Sequence, residues 1–291
     1  MSLLLGWPAF ALARARHGRP RVPVRLAPTG EPAHLLGSVA VDDLPVLATW
    51  PDAFAEVGEG AARHLAMRLP RAIRDARLAE IHLQLHARGR ILAWRDEPYP
   101  LRDVDGGEHG IVERAASRFW GLLTLGAHAN GYVADASGRP THLWIARRSH
   151  HKPTDPGRLD NLVGGGVPAG QTPHEALVRE AWEEAGLRPA DLAGLRAGGT
   201  LLIDADIPEG RQLERLHVWD LPLPAAFTPG AVDGEVEEHL LLPVAEALAR
   251  AAAGEMTTDA ALATLDFALR HGVAGPGAPG LAAALDALRA P

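Results

Sequence analysis

The chain has 291 residues, 47% of them hydrophobic, and a formal net charge of −7. That length makes one large or two modest domains with ample core, and the acidic balance argues against extended nucleic-acid binding, which wants a basic face. There is no cysteine, which removes disulfide frameworks and thiolate chemistry.

In chain order, an apolar start (3–13) is followed by Arg14, Arg16, Arg19 and Arg21, with no acid before Glu31. A secretory signal carries its positive charge ahead of the apolar run, so this reversed order predicts a first helix over 8–17 instead. In a eukaryote the same start would look like a mitochondrial transit peptide. No run reaches the roughly 18 apolar residues of a membrane span, so the reading is a cytoplasmic chain with no membrane partner. Strands are expected over 33–41 and 90–95, and Ile73, Leu78, Ile81 and Leu85 predict a helix over 70–87. Asp105-Gly106-Gly107 marks a turn before a helix at 112–119. These elements make a small α+β domain over 1–115, with a second domain over 116–291. There, 129–134, 143–147 and 216–221 read as strands. A capped helix over 258–271 buries Leu262, Leu265 and Leu269, a loop covers 272–279, and a last helix starts at Leu281. No internal repeat is visible.

The stretch GGVPAGQTPHEALVREAWEEAGL, Gly165 to Leu187, carries the chemistry. Thr172 suits an N-cap, Pro173 the first helical position, and Glu175 completes a capping box with Thr172. Gly186 stands where a left-handed residue ends a helix. Leu177, Val178, Ala181, Trp182 and Ala185 form the expected apolar face, and Glu175 with Arg179 an i,i+4 pair. Glu180, Glu183 and Glu184, at i, i+3 and i+4, share the other face. Like charges this close destabilise a helix by some tenths of a kcal/mol per pair. A cation relieves that, and hard oxygen ligands suit Mg²⁺ or Mn²⁺. The bland alternative is a solvated acidic stripe.

Gly165, five residues, Gln171, seven residues, then Arg179-Glu180-Ala181-Trp182-Glu183-Glu184-Ala185-Gly186-Leu187 resembles the Nudix box. The departures are Gln171 in place of a Glu and Ala181 as a small aliphatic residue. The resemblance implies an α/β (α+β) protein: an α/β/α sandwich with a mixed sheet, here preceded by the small α+β amino-terminal domain. It implies a pyrophosphohydrolase in which Glu180, Glu183 and Glu184, helped by a backbone carbonyl near Gly165, bind the metal. A metal-activated water would then split a small-molecule diphosphate. One further carboxylate often completes such a site, and Glu235 is the candidate, sharing a strand face with Glu237. The competing reading of that segment is an exposed acidic strand edge. Family usage also pairs Arg179 with position 171, where Gln171 accepts a weaker hydrogen bond than Glu would. The missing cysteine counts against the diphosphate isomerases that share the fold.

The flanks, including Trp94-Arg95-Asp96-Glu97, Gly126-Ala127-His128-Ala129-Asn130, Leu159-Asp160-Asn161 and Asp233-Gly234-Glu235, look like the thiamine pyrophosphokinase-related Nudix subfamily. That subfamily has an amino-terminal domain of unassigned function, expected here to cap the substrate. No kinase portion is present. The substrate so implied is thiamine diphosphate or a damaged analogue, cleaved to the monophosphate. The rivals are an ADP-ribose or nucleoside-diphosphate-sugar hydrolase, and a non-catalytic ligand-sensing Nudix module. Such modules lose box acids, whereas this chain keeps all three helical ones. Lys152, the only lysine, with Arg147, Arg148 and Arg158, is expected either to grip phosphate or to form a solvated basic loop. His128 and Asn130 on one strand face either line the pocket or form a buried hydrogen-bonded pair. Trp94 and Trp144 suit ring stacking or plain packing. His150 and His151 lack metal-site spacing, and a homodimer is left open.

Overall fold

Short alternating stretches near the start of the chain assemble a four-stranded sheet. Its strands are β1 (Arg21–Leu26), β2 (His34–Ala40), β3 (Phe54–Val57) and β4 (His64–Met67), in the order β2-β1-β4-β3. The structure is a computed structural model that describes residues 7–15, 18–232, 234–275 and 277–289. Helix α1 (Pro8–Leu12) precedes the sheet, α2 (Leu44–Leu47) follows β2, and α3 (Arg71–Ala87) packs on it. Leu78, Ile81 and Leu85 of α3 are fully buried, but Ile73 is 54% exposed. Five residues separate Ile73 from Leu78, about 140° around a helix, which carries it off the apolar face. Hairpin β5 (Pro98–Arg102) and β6 (Glu108–Glu113) turns at Gly106, whose φ is 99°. Asp103 accepts from His109 Nε2 at 2.7 Å and lies 3.3 Å from His34 Nδ1, tying the hairpin to β2.

Three expected elements differ. Residues 90–95 form no strand: Ala93 has φ 56° and Asp96 φ 57°, values no ladder accommodates. The expected helix at 112–119 is the end of β6 followed by α4 (Arg114–Trp120), because Glu113 caps the helix by accepting the Ala115 N–H. Helix α1 stops at Leu12, where the carbonyls of Ala13 and Ala15 turn to accept the N–H groups of Asp204 and Asp206. Arg16 and His17, the end of the expected helix over 8–17, lie outside the described residues.

The second sheet holds seven strands: β7 (Leu123–Ala134), β8 (Pro140–Arg148), β9 (Leu159–Asn161), β10 (Val163–Gly166), β11 (Arg196–Ile207), β12 (Gly210–Pro222) and β13 (Val236–Pro243). Its main path runs β11-β12-β7-β8-β13, with β10 on β7 and β9 on β8. β12 pairs β7 in parallel and the other ladders are antiparallel, so the sheet is mixed. Helix α5 (Pro173–Ala185) covers one face through Ala127, Ala129, Leu177, Ala181 and Ala185. The other face packs on α6 (Val244–Ala252) and α7 (Thr258–Arg270), a core that also takes in Leu143, Leu216, Leu262 and Phe267. The α/β/α sandwich is therefore as expected. Helix α8 (Ala278–Asp286) begins three residues before Leu281, behind Gly277 with φ 97°. No helix among the described residues is long and apolar enough to cross a membrane.

Candidate active site

Helix α5 is built as its sequence dictates. The Thr172 hydroxyl accepts the Glu175 N–H at 3.2 Å and Glu175 Oε2 accepts the Thr172 N–H at 2.8 Å, a full capping box. Gly186 ends the helix at φ 67°, an ordinary glycine role. Trp182 departs from its expected place. It sits at the rim of the apolar face and is 45% exposed.

The three acids share the opposite side of the helix. Glu180 and Glu184 are buried, and Glu183 is half-buried. Strand β10 runs against them. Gly164 N–H donates to Glu184 Oε2 at 2.8 Å, and a Cβ added at Gly165 would sit 2.2 Å from Glu180 Oε1. Only glycine lets the backbone approach that closely. Arg179 donates to Glu183 Oε2 at 2.6 Å and to Glu180 Oε1 at 2.8 Å. Lys152 Nζ lies 3.6 Å from Glu184 Oε1 and forms an ion pair with Glu235. Burial raises the Glu180 carboxyl above its ordinary range and pushes Glu184 up to about 8, against the pull of Lys152. At Glu235 burial acts the same way, but the Lys152 hydrogen bond and charge outweigh it and the carboxyl is lowered.

These residues fit a divalent cation. The donors are all oxygen, two of the carboxylates are buried with their proton affinity raised, and Lys152 already draws Glu184 and Glu235 toward one positive charge. A hard ion satisfies such a set better than a single ammonium does.

Along strand β10 lies a cavity of about 520 Å³, lined by both parts of the chain but by none of the three acids. From the amino-terminal part come Arg95, Tyr99 and Arg114; from the second come His128, Arg148, Arg158, Asp160, Gly164 to Gly166, Glu214 and Asp259, among others. Glu214 is lowered because Arg118, which donates to it at 2.9 Å, outweighs its burial. Burial, then the Glu214 charge, pushes Asp259 up to about 7.

Not every expected residue reaches this place. Arg147 is held on the outer strand pair, by Glu238 at 2.5 Å and the Gly157 carbonyl at 3.1 Å. Arg148, its neighbour on the other face, lines the cavity instead and donates to Asp160 at 2.9 Å. Asn130 is 1% exposed and serves the core, accepting from Asn161 at 3.0 Å and donating to the Ala263 carbonyl at 3.2 Å. His128 does line the cavity and also contacts Asn161, Nδ1 to Oδ1 at 2.9 Å. Gln171 does not meet Arg179. Both terminal nitrogens of Arg179 are taken by charged acceptors, and Gln171 Oε1 is buried without a partner. The expected Glu175–Arg179 pair is absent among the described residues for the same reason, Glu175 being spent on the cap. Glu235 immediately precedes β13 rather than lying within it. Asp233 lies outside the described residues. Trp144 packs near Phe227, and Trp94 donates to Asp96 at 2.7 Å. His150 and His151 are exposed.

A family model described as the NUDIX domain matches residues 124–261. Nudix hydrolase 24, chloroplastic, from Arabidopsis thaliana is 35% identical over 231 residues, covering 78% of this chain and 62% of that protein. Nudix hydrolase 20, chloroplastic, from the same plant is 36% identical over 211 residues, covering 71% of this chain and 55% of its own length. The chain thus spans between half and two thirds of these curated relatives. Among solved structures, a Deinococcus radiodurans protein is 28% identical with a TM-score of 0.46, covering 59% of this chain and 98% of that one.

Proposed function

We propose that the protein, whose residues 124–261 match the NUDIX domain model, is a pyrophosphohydrolase acting on a small-molecule diphosphate with Mg²⁺ or Mn²⁺. The observation that carries this reading is the cluster of Glu180, Glu183 and Glu184, two of them buried, on a helix packed against Gly164 and Gly165, glycines that line an arginine-rich cavity which the acids themselves do not line. A non-catalytic sensor has no need to retain all three acids.

Glu180, Glu183 and Glu184, with a carbonyl near Gly165, would hold the metal. When bound, it supplies charge neutralisation of the diphosphate and a water acidic enough to ionise near neutral pH. Arg179 orients Glu180 and Glu183, each through one guanidinium nitrogen. Glu235 Oε accepts the proton of the attacking water, and Lys152 releases that carboxylate when the substrate arrives. Walls formed from both parts of the chain keep bulk water from the leaving phosphate.

The substrate we favour is thiamine diphosphate or an oxidised analogue, hydrolysed to the monophosphate and orthophosphate. The subfamily likeness of the flanks supports it. So does the character of the cavity, which adds the acids Glu214 and Asp259 to its arginines and so suits a diphosphate joined to a cationic or donor-rich ring. Phosphate release from thiamine diphosphate and its oxidised analogues, measured beside AMP release from ADP-ribose, with Mg²⁺ and with chelator, tests this. Glu183→Gln and Glu184→Gln should each lower kcat by about a hundredfold or more, the several kcal/mol a metal contributes, with the circular dichroism spectrum unchanged. Unaltered rates would reject the metal assignment. AMP release in place of phosphate release would move the substrate to ADP-ribose.

A further inference from the structure

The cavity has polar groups that lack partners, and they lie on both parts of the chain. Tyr99, on β5, is 3% exposed and its hydroxyl has no hydrogen-bond partner. Arg118 Nη1, Arg148 Nε and Arg158 Nε, all from cavity-lining residues, are also buried without one. A buried donor left unmade costs more than a hydrogen bond gains, and four such atoms belong to residues that line one hollow.

Their placement relative to the acids narrows the chemistry. A Cβ added at Gly166 would lie 1.8 Å from Tyr99 Oη and 3.4 Å from Arg114 Nη2, while one at Gly165 would meet Glu180. Successive residues of a strand point to opposite faces, so Tyr99 and Arg114 pack on one face of β10 and Glu180 on the other, one residue apart. Arg114 also lies over the Tyr99 ring, 5.3 Å from its centroid. Arg95 Nη2 donates to the Thr154 hydroxyl at 3.2 Å and Arg148 Nη2 to the Thr154 carbonyl at 3.0 Å, so these two guanidinia converge on one residue. Part of the charge is already answered: Glu97 accepts from Arg114 at 2.7 Å and Asp160 from Arg148 at 2.9 Å. Among the described residues the Arg95 side chain donates to the neutral Thr154 hydroxyl, and burial with the nearby Arg114 charge lowers its pKa against the pull of Glu235. Guanidinium forks gathered at a concave wall match the oxygens of a phosphoryl group.

We propose that Arg95, Tyr99 and Arg114 bind a phosphoryl group of the substrate together with Arg148, so that the amino-terminal part of the chain completes the active site instead of merely covering it. The identity of that ligand as a diphosphate rests on the hydrolase reading above.

The test uses the full chain and inorganic pyrophosphate, titrated by calorimetry in chelator and again with Mg²⁺. Arg95→Ala should weaken pyrophosphate binding by about tenfold and Tyr99→Phe by about threefold, the range for a charge-assisted and a neutral hydrogen bond. Arg95→Lys should recover part of the loss. In turnover the same variants should raise KM more than they lower kcat, the reverse of Glu184→Gln. Tyr99→Phe removes one oxygen from a packed ring, so it reports even where an arginine variant fails to fold. Wild-type chain that does not bind pyrophosphate, or binding that both variants leave unchanged, overturns the proposal. If the wild type binds pyrophosphate through these residues yet hydrolyses no diphosphate, the hydrolase reading fails and this one stands.

Discussion

Lys152 is a counter-charge of the acidic cluster. It is the only lysine in the chain, its side chain is 11% exposed, and it lies between Glu184 and Glu235. Expected either to grip phosphate or to lie in a solvated basic loop, it pairs with Glu184, a candidate metal ligand, and with Glu235, the candidate base, contacts its sequence position among arginines does not reveal. Removing one partner of a buried pair leaves an uncompensated charge. Lys152→Met should therefore cost about 2 kcal/mol of stability in chelator, read as a lower urea midpoint, and Mg²⁺ should restore most of it. A loss of the same size with and without Mg²⁺ would mean that these acids do not hold the ion. The same residue-scale competition explains Gln171: Arg179 is drawn to two carboxylates, each a stronger acceptor than an amide oxygen.

Helix α3 and helix α4 are clamped by one neutral histidine. Trp120 Nε1 donates to His82 Nε2 at 2.8 Å, both residues being fully buried. Burial pushes the His82 imidazole down to about 3, against about 6.5 in an unfolded chain. Between those values the unfolded chain binds a proton that the folded one refuses, so stability falls as pH drops below about 6.5 and this contribution is flat above it. At pH 5 the loss is about 2 kcal/mol. His82→Gln keeps an acceptor for Trp120 and should flatten the change in urea midpoint between pH 7.5 and pH 5; an undiminished change would show that other groups set it. Neither the clamp nor the Tyr99–Arg114 wall is legible in the sequence, because each joins residues that meet only after folding. What is legible is local. Thr172, Glu175 and Gly186 place both ends of α5, and the i, i+3, i+4 spacing puts Glu180, Glu183 and Glu184 on one side. Residues 90–95 mislead because their apolar content reflects burial of Ile91 in a loop, not strand alternation. Asn130 misleads because β7 is covered on both faces, so sharing a strand face with His128 does not bring it to the cavity.

The whole molecule is tied across its apolar cores rather than strung as separate units. Residues 22–122 share one apolar cluster, including Phe119 and Trp120 of α4, yet Trp7, Ala9 and Ala13 belong to the cluster around α7. From Trp7 onward the described chain thus leaves the cluster around α7, builds the one over 22–122, and returns. Polar links reinforce the crossing. Ser38 Oγ of β2 accepts from Arg211 of β12 at 3.2 Å, and Arg118 of α4 donates to Glu214 at 2.9 Å. Because the cavity is lined from both parts of the chain, its arginines keep their spacing only while the two parts remain docked. Trp7 is 8% exposed, and truncating a buried Trp to Ala typically costs about 3 kcal/mol. If the crossing makes the cores one cooperative unit, Trp7→Ala should speed hydrogen exchange in β1 to β4 and in β7 to β12 by similar factors, although it touches only the cluster around α7. Faster exchange confined to β7 to β12 would show two units that open independently. Pyrophosphate should then slow exchange in both sheets of the wild type, since an anion held by Arg95 and Arg148 at once stabilises only the docked state.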